Sequence, residues 1–166
     1  MQDFDLNLDN LKSMLKSKDE SSRKLALGIL KANSKKIPKK DLVRLYKLVP
    51  ARECVKTYKD VCTQLGIKEA TLEDYKSIPK NERSSALANH KLYNICKRFN
   101  GRKVTVKSDR YLPYFIKKAI TGLRFVDSGF WSASSSHGVV GCYYRNEEDA
   151  NYCGETFIDI YSELLG

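Results

Sequence analysis

The chain has 166 residues, 42% of them apolar and 30% charged, which is enough to bury a core in one domain and excludes a disordered segment. Its formal charge of +10 is unevenly spread: residues 1–120 hold 28 Lys and Arg against 13 Asp and Glu, and residues 121–166 hold 2 against 7. No run of about 18 apolar residues is present, the acidic start Met1-Gln-Asp-Phe-Asp-Leu6 lacks a secretory layout, and five cysteines without a C-x-x-C pair fit neither a disulfide framework nor a zinc ribbon, so a cytoplasmic protein with reduced thiols is expected.

Leu6, Leu8, Leu11, Met14 and Leu15 recur at helical spacing. After the polar break Ser17-Lys-Asp-Glu20, a second helix is predicted with Asp19 as its N-cap, Asn33 as its stop and Leu25, Ile29 and Ala32 on its buried side. The pair reads as one helical hairpin of the HEAT type, and since a lone hairpin cannot bury its own face it must pack on the rest of the protein or on a partner. Residues 1–51 are therefore expected to be a helical extension and 52–166 a domain that folds without it. Beyond Ile37-Pro38 a short helix over 41–49 turns Leu42, Leu45, Tyr46 and Val49 inward and ends at Pro50.

Thr57 caps the next helix, which runs through Val61, Cys62 and Leu65 to Gly66. Residues 68–83 are polar and read as an exposed connection with one helical turn. A long helix over 82–99 follows, with the stripe Ala88, Leu92, Ile95, Cys96 and Phe99, closed by Asn100-Gly101. The period then changes from 3.6 to 2, through Val104 and Val106, Leu123 and Phe125, and Val139 to Tyr144. Asp127 to Gly138, rich in Ser and Gly, is expected to be a loop, and it contains Trp131, the only tryptophan. At the end, Asn146 caps a helix with Asp149 three residues on, and Ala150, Cys153, Phe157, Tyr161 and Leu164 share one face. Helices early, a small antiparallel sheet late and a packed C-terminal amphipathic helix, without β-α-β alternation, define an α+β fold.

Four blocks stand in a telling order: Val55-Lys-Thr-Tyr-Lys-Asp-Val-Cys-Thr-Gln-Leu-Gly-Ile67, Lys91-Leu92 through Asn100-Gly101, Tyr111-Leu-Pro-Tyr-Phe115, and Tyr144-Arg-Asn-Glu-Glu-Asp-Ala-Asn-Tyr-Cys-Gly-Glu-Thr-Phe-Ile158. On these blocks residues 53–165 resemble an uncharacterised family of small proteins encoded by Bacteroidetes and their tailed phages. That family usually has a tryptophan-rich turn before the third block and a Ser-Arg pair before the last strand, where this chain has Arg102 to Asp109 and Val140-Gly141. The resemblance implies an origin and a fold, and no mechanism.

No catalytic set emerges. His137, Cys142 and Cys153 lack a fourth ligand and the usual zinc spacings, and Ser134-Ser-Ser-His137 has no orienting carboxylate, so no catalytic, metal or cofactor site is expected. Glu147, Glu148 and Asp149 suit the first turn of a helix. The constellation with functional weight is basic. Lys39, Lys40, Arg44, Lys97, Arg98, Arg102 and Lys103 are the expected phosphate contacts, for which only positive charge on a common face is needed. Trp131, Tyr111 and Tyr114 are the expected partner contacts. The reading is a non-enzymatic phage or mobile-element accessory protein, in the host cytoplasm or the virion, that binds nucleic acid or a host or phage protein and no membrane. Its alternative is a virion structural component, a homo-oligomer in which the basic and acidic ends of successive copies meet.

Overall fold

A computed structural model describes residues 7–101, 110–118, 122–131 and 142–165. The element order is α1 (Leu8–Leu15), α2 (Glu20–Ala32), α3 (Lys39–Tyr46), α4 (Ala51–Cys54), α5 (Tyr58–Leu65), a 3₁₀ turn (Leu72–Tyr75), α6 (Arg83–Asn100), β1 (Arg110–Lys118), β2 (Gly122–Trp131), α7 (Glu147–Thr156) and α8 (Ile158–Leu165). The fold is α+β, helical early with a two-stranded antiparallel sheet late.

The helix ends follow from side-chain chemistry. Asn7 accepts from the backbone N–H groups of Asp9 and Asn10, and Asp19 from that of Ser22. Thr57 and Asp60 form a reciprocal capping box at α5, while Gly66 and Gly101 close α5 and α6 with φ of 66° in the left-handed region.

The stripe of α2 differs from expectation by about one residue step around the helix. Ala26, Leu27 and Leu30 are buried, and Leu25 is 60% exposed. Both stripes are apolar in the sequence, and packing against α1 selects the one holding two leucines. Leu11, Leu15, Leu27 and Leu30 belong to the same apolar cluster as Val61, Leu92 and Ile95, so the hairpin shares the core of the remaining chain. Arg23 adds an ion pair to Glu53 at 3.1 Å, and the boundary expected between residues 51 and 52 falls inside α4.

β1 and β2 pair from Arg110 with Trp131 to Lys118 with Gly122. Residues 127–131, expected in a loop, are therefore strand: β1 supplies backbone partners that outweigh the Ser and Gly content. Tyr114 pairs with Asp127 and Phe115 with Phe125, which leaves Val126 as a bulge. The expected strand residues Val104, Val106 and Val139 lie outside the described residues. Tyr144 makes an antiparallel bridge to Tyr111, with both backbone bonds at 2.9 Å.

The C-terminal helix is two helices. It breaks at Phe157, because its two halves serve different neighbours: α7 lies on both strands, and α8 packs chiefly on α6. Gly154 permits the first contact, since a Cβ there would stand 2.4 Å from the Phe125 ring and 3.0 Å from Pro113 Cβ. Leu92, Ile95 and Cys96 of α6, with Tyr144, Cys153, Phe157 and Tyr161, form the centre of the core.

Candidate polyanion interface

α3 is amphipathic in both senses that matter. Leu42, Leu45 and Tyr46 point inward, and Lys40, Arg44 and Lys47, at spacings of four and three, make an exposed cationic stripe with Lys39 beside it. The helix rests on the end of α5 at close range, where a Cβ on Gly66 would meet Val43 Cγ2 at 2.9 Å. One shallow cleft runs along this stripe, lined by Lys39, Lys40, Arg44, Lys47 and the Val43, Leu65 and Gly66 floor. A second, of about 640 Å³, shares Val43, Lys47 and Leu65 with the first and continues to Lys97, Arg98 and Gly101 at the end of α6. No carboxylate lines either cleft among the described residues. The two clefts thus join Lys97, distant in sequence, to the α3 cations through Lys47. Arg44 also stands 3.6 Å from Asp41 and lines a further cleft with Asp9 and Asp41.

Arg98, expected on the surface with the other phosphate contacts, is instead largely a core residue whose side chain also lines the larger cleft. It is 8% exposed. Nε donates to Gln64 Oε1 at 2.6 Å, and Nη2 donates to the carbonyls of Tyr46 at 2.9 Å and Val49 at 3.1 Å. These carbonyls lie at and just after the end of α3, where the helix leaves acceptors without internal partners. Gln64 in turn donates through Nε2 to the Cys54 carbonyl at 3.0 Å, locking the amide so that its oxygen faces Arg98. Burial lowers the Arg98 pKa. Helical period alone places Arg98 next to Lys97 without showing that it points inward, and Gln64, the residue that orients it, carries no signal at all in the sequence.

Arg102 and Lys103 lie outside the described residues, as do His137 and Ser134 to Ser136. Tyr111 and Tyr114 are three apart in one strand and face opposite sides of the sheet, so they form no common platform. Tyr111 packs toward the core, and Tyr114 is 58% exposed. The backbone of Trp131 pairs with that of Arg110 at the end of the hairpin.

The cysteines sit inside. Cys96, Cys142 and Cys153 share the core with Tyr144, whose hydroxyl lies 3.1 Å from that of Tyr161. Burial raises the thiols of Cys96 and Cys153 and both phenols well above their ordinary values. Such thiols are poor nucleophiles. Among the described residues no three His, Cys, Asp or Glu are placed to hold a metal ion, and no helix is long and apolar enough to cross a membrane. The first-turn acids of α7 meet a cation from another helix: Arg52 reaches Glu148 at 2.6 Å and Asp149 at 3.0 Å.

No family model, no curated protein and no solved structure matches this chain.

Proposed function

We propose that the protein is a non-enzymatic accessory protein of a phage or mobile element that binds nucleic acid by its backbone, through the joined clefts of α3 and α6. The supporting observation is the concave surface that gathers Lys39, Lys40, Arg44, Lys47 and Lys97 with no carboxylate among its lining residues. Cations so placed release condensed counterions from a phosphate backbone whatever bases it carries, so binding without sequence preference is expected.

The alternative, a virion component built by opposite ends meeting, needs free acids at the C-terminal end. Arg52 already engages Glu148 and Asp149, and Lys91 stands 4.0 Å from Glu163, which leaves fewer charges for a second copy.

Binding to a labelled mixed-sequence duplex between low and physiological salt tests the proposal. Five phosphate contacts imply a log–log salt slope of about −4.5. The Lys40→Glu/Arg44→Glu variant should bind all sequences more weakly, and Lys80→Glu, outside both clefts, should bind as the wild type does. A wild type that binds no nucleic acid at low salt refutes the reading and puts the virion component first.

A further inference from the structure

Arg98 is a buried cation with no counter-ion among the described residues. Around its guanidinium are an amide oxygen, two backbone carbonyls and the Cys54 sulfur at 3.4 Å, all neutral, and no carboxylate comes within ion-pair distance among the described residues. Asp149 acts on it only from a distance and is held by Arg52 at 3.0 Å. An uncompensated buried charge is costly, and buried charges are ordinarily paired. The carbonyls at the end of α3 offset part of that cost, since the negative end of a helix favours a cation, but they carry no full charge.

The guanidinium also has a group to spare: Nε and Nη2 make all its bonds, whereas Nη1 has no partner among the described residues. Arg98 lines the 640 Å³ cleft together with the exposed Lys47 and Lys97. The remaining lining includes Val49, Pro50 and Phe99, an apolar surface suited to an organic substituent, and the volume is that of a small-molecule site. Three cations lining one concave, carboxylate-free site suit a dianion, and the planar guanidinium suits phosphate oxygens in particular.

We propose that this cleft binds a phosphate monoester, with Arg98 Nη1, Lys47 and Lys97 as its ligands and the apolar wall receiving the attached nucleoside. A phosphate inside a strand is a diester with a sugar on each side and one negative charge. It is hindered from reaching a recessed guanidinium and offers it less charge than a terminal group does. Two sources share this chemistry: the phosphorylated end of a nucleic-acid strand and a free mononucleotide. The strand-end source rests on the nucleic-acid reading above, with α3 holding the adjoining backbone; the mononucleotide source does not.

The test compares single-stranded oligonucleotides of one sequence with a phosphate or a hydroxyl at the ends, together with adenosine monophosphate and inorganic phosphate. The full chain and an Arg98→Lys variant, which keeps the charge and lacks Nη1, are used, and thermal unfolding verifies that the variant is folded. A Lys47→Glu/Lys97→Glu variant, altered only at exposed positions, keeps the test decisive if Arg98→Lys does not fold. The phosphorylated strand should bind the wild type at least about tenfold more tightly than the hydroxyl strand, the scale of one charge-assisted hydrogen bond, and each variant should lose that preference. Adenosine monophosphate binding as tightly as the phosphorylated strand makes the free nucleotide the source; weaker binding makes it the strand end. Equal affinity for both strands, with their salt dependence intact, overturns the monoester site and leaves the backbone reading standing. Binding of adenosine monophosphate and inorganic phosphate but of neither strand does the reverse, and binding of none of them overturns both.

Discussion

Two glycines within helices give opposite predictions from the same substitution. Gly28 lies in the middle of α2 with nothing within 4 Å of the place an added Cβ would take, so Gly28→Ala gains helix propensity of about 1 kcal/mol without cost. Gly154 lies in α7, where the new Cβ would stand 2.4 and 2.5 Å from two Phe125 ring carbons and 3.0 Å from Pro113 Cβ. Normal carbon contacts begin at about 3.5 Å, so helix or ring must yield by about 1 Å. The ring has little room, because it packs edge-on to Phe115 at 5.8 Å and Phe115 packs on Tyr161 at 4.7 Å. Overpacking costs about 1–3 kcal/mol, and this rigid stack places Gly154→Ala near the upper end; after the propensity gain, a net loss of about 2 kcal/mol remains. At about 2–4 °C per kcal/mol for a chain of this size, Gly28→Ala should raise the melting temperature by a few degrees and Gly154→Ala lower it by roughly 4–8 °C. Thermal and urea unfolding of the two variants and the wild type make the comparison. A Gly154→Ala protein as stable as Gly28→Ala would refute the close seating of α7 on the hairpin.

Phe157→Ala, at the break between α7 and α8, should cost about 3–5 kcal/mol, and an unchanged urea midpoint would show the C-terminal helices to be loosely attached. Burial raises the thiols of Cys54, Cys62, Cys96 and Cys153 above 9.0 and the phenols of Tyr144 and Tyr161 above 10.0, so the unfolded chain releases these protons first. Stability should accordingly be full below pH 9.0 and fall as pH rises beyond it, which unfolding titrations from pH 7 to 11 would detect; a flat profile would contradict the burial of these groups. Residues 52–166 alone lack the Tyr46 and Val49 carbonyls that hold Arg98, so this fragment should unfold without cooperativity, and a sharp transition would show the first 51 residues to be dispensable. Chelator should leave the melting temperature unchanged, and one equivalent of metal lost in Cys142→Ser would reverse the reading of His137, Cys142 and Cys153.

What was legible in the sequence was local. Asp19, Thr57, Gly66, Asn100-Gly101 and Asn146 mark helix ends by chemistry acting within four residues, and each stands where the structure has a helix end. What depended on a distant partner was not. The stripe of α2 is ambiguous until α1 chooses between Leu25 and Leu27. Asp127 to Trp131 reads as loop because its composition says nothing of β1, and one continuous helix reads into α7 and α8 because the break answers to two neighbours. The site divides in the same way. Lys40 and Arg44 share a face by spacing alone, whereas the union of Lys97 with that face and the inward turn of Arg98 come from how α6 meets α3 and α5.

The seating of α8 on α6 also sets a timetable for biosynthesis. Cys96 and Tyr161 are brought together from about 65 residues apart, a stretch that takes roughly 3–13 s to synthesise at about 5–20 residues per second. During that interval the stripe Ala88, Leu92, Ile95 and Cys96 has no Tyr144, Phe157 or Tyr161 to cover it. The nascent chain therefore carries a partly uncovered apolar helix for seconds at a time, and chaperones that shield apolar segments at the ribosome should raise its yield.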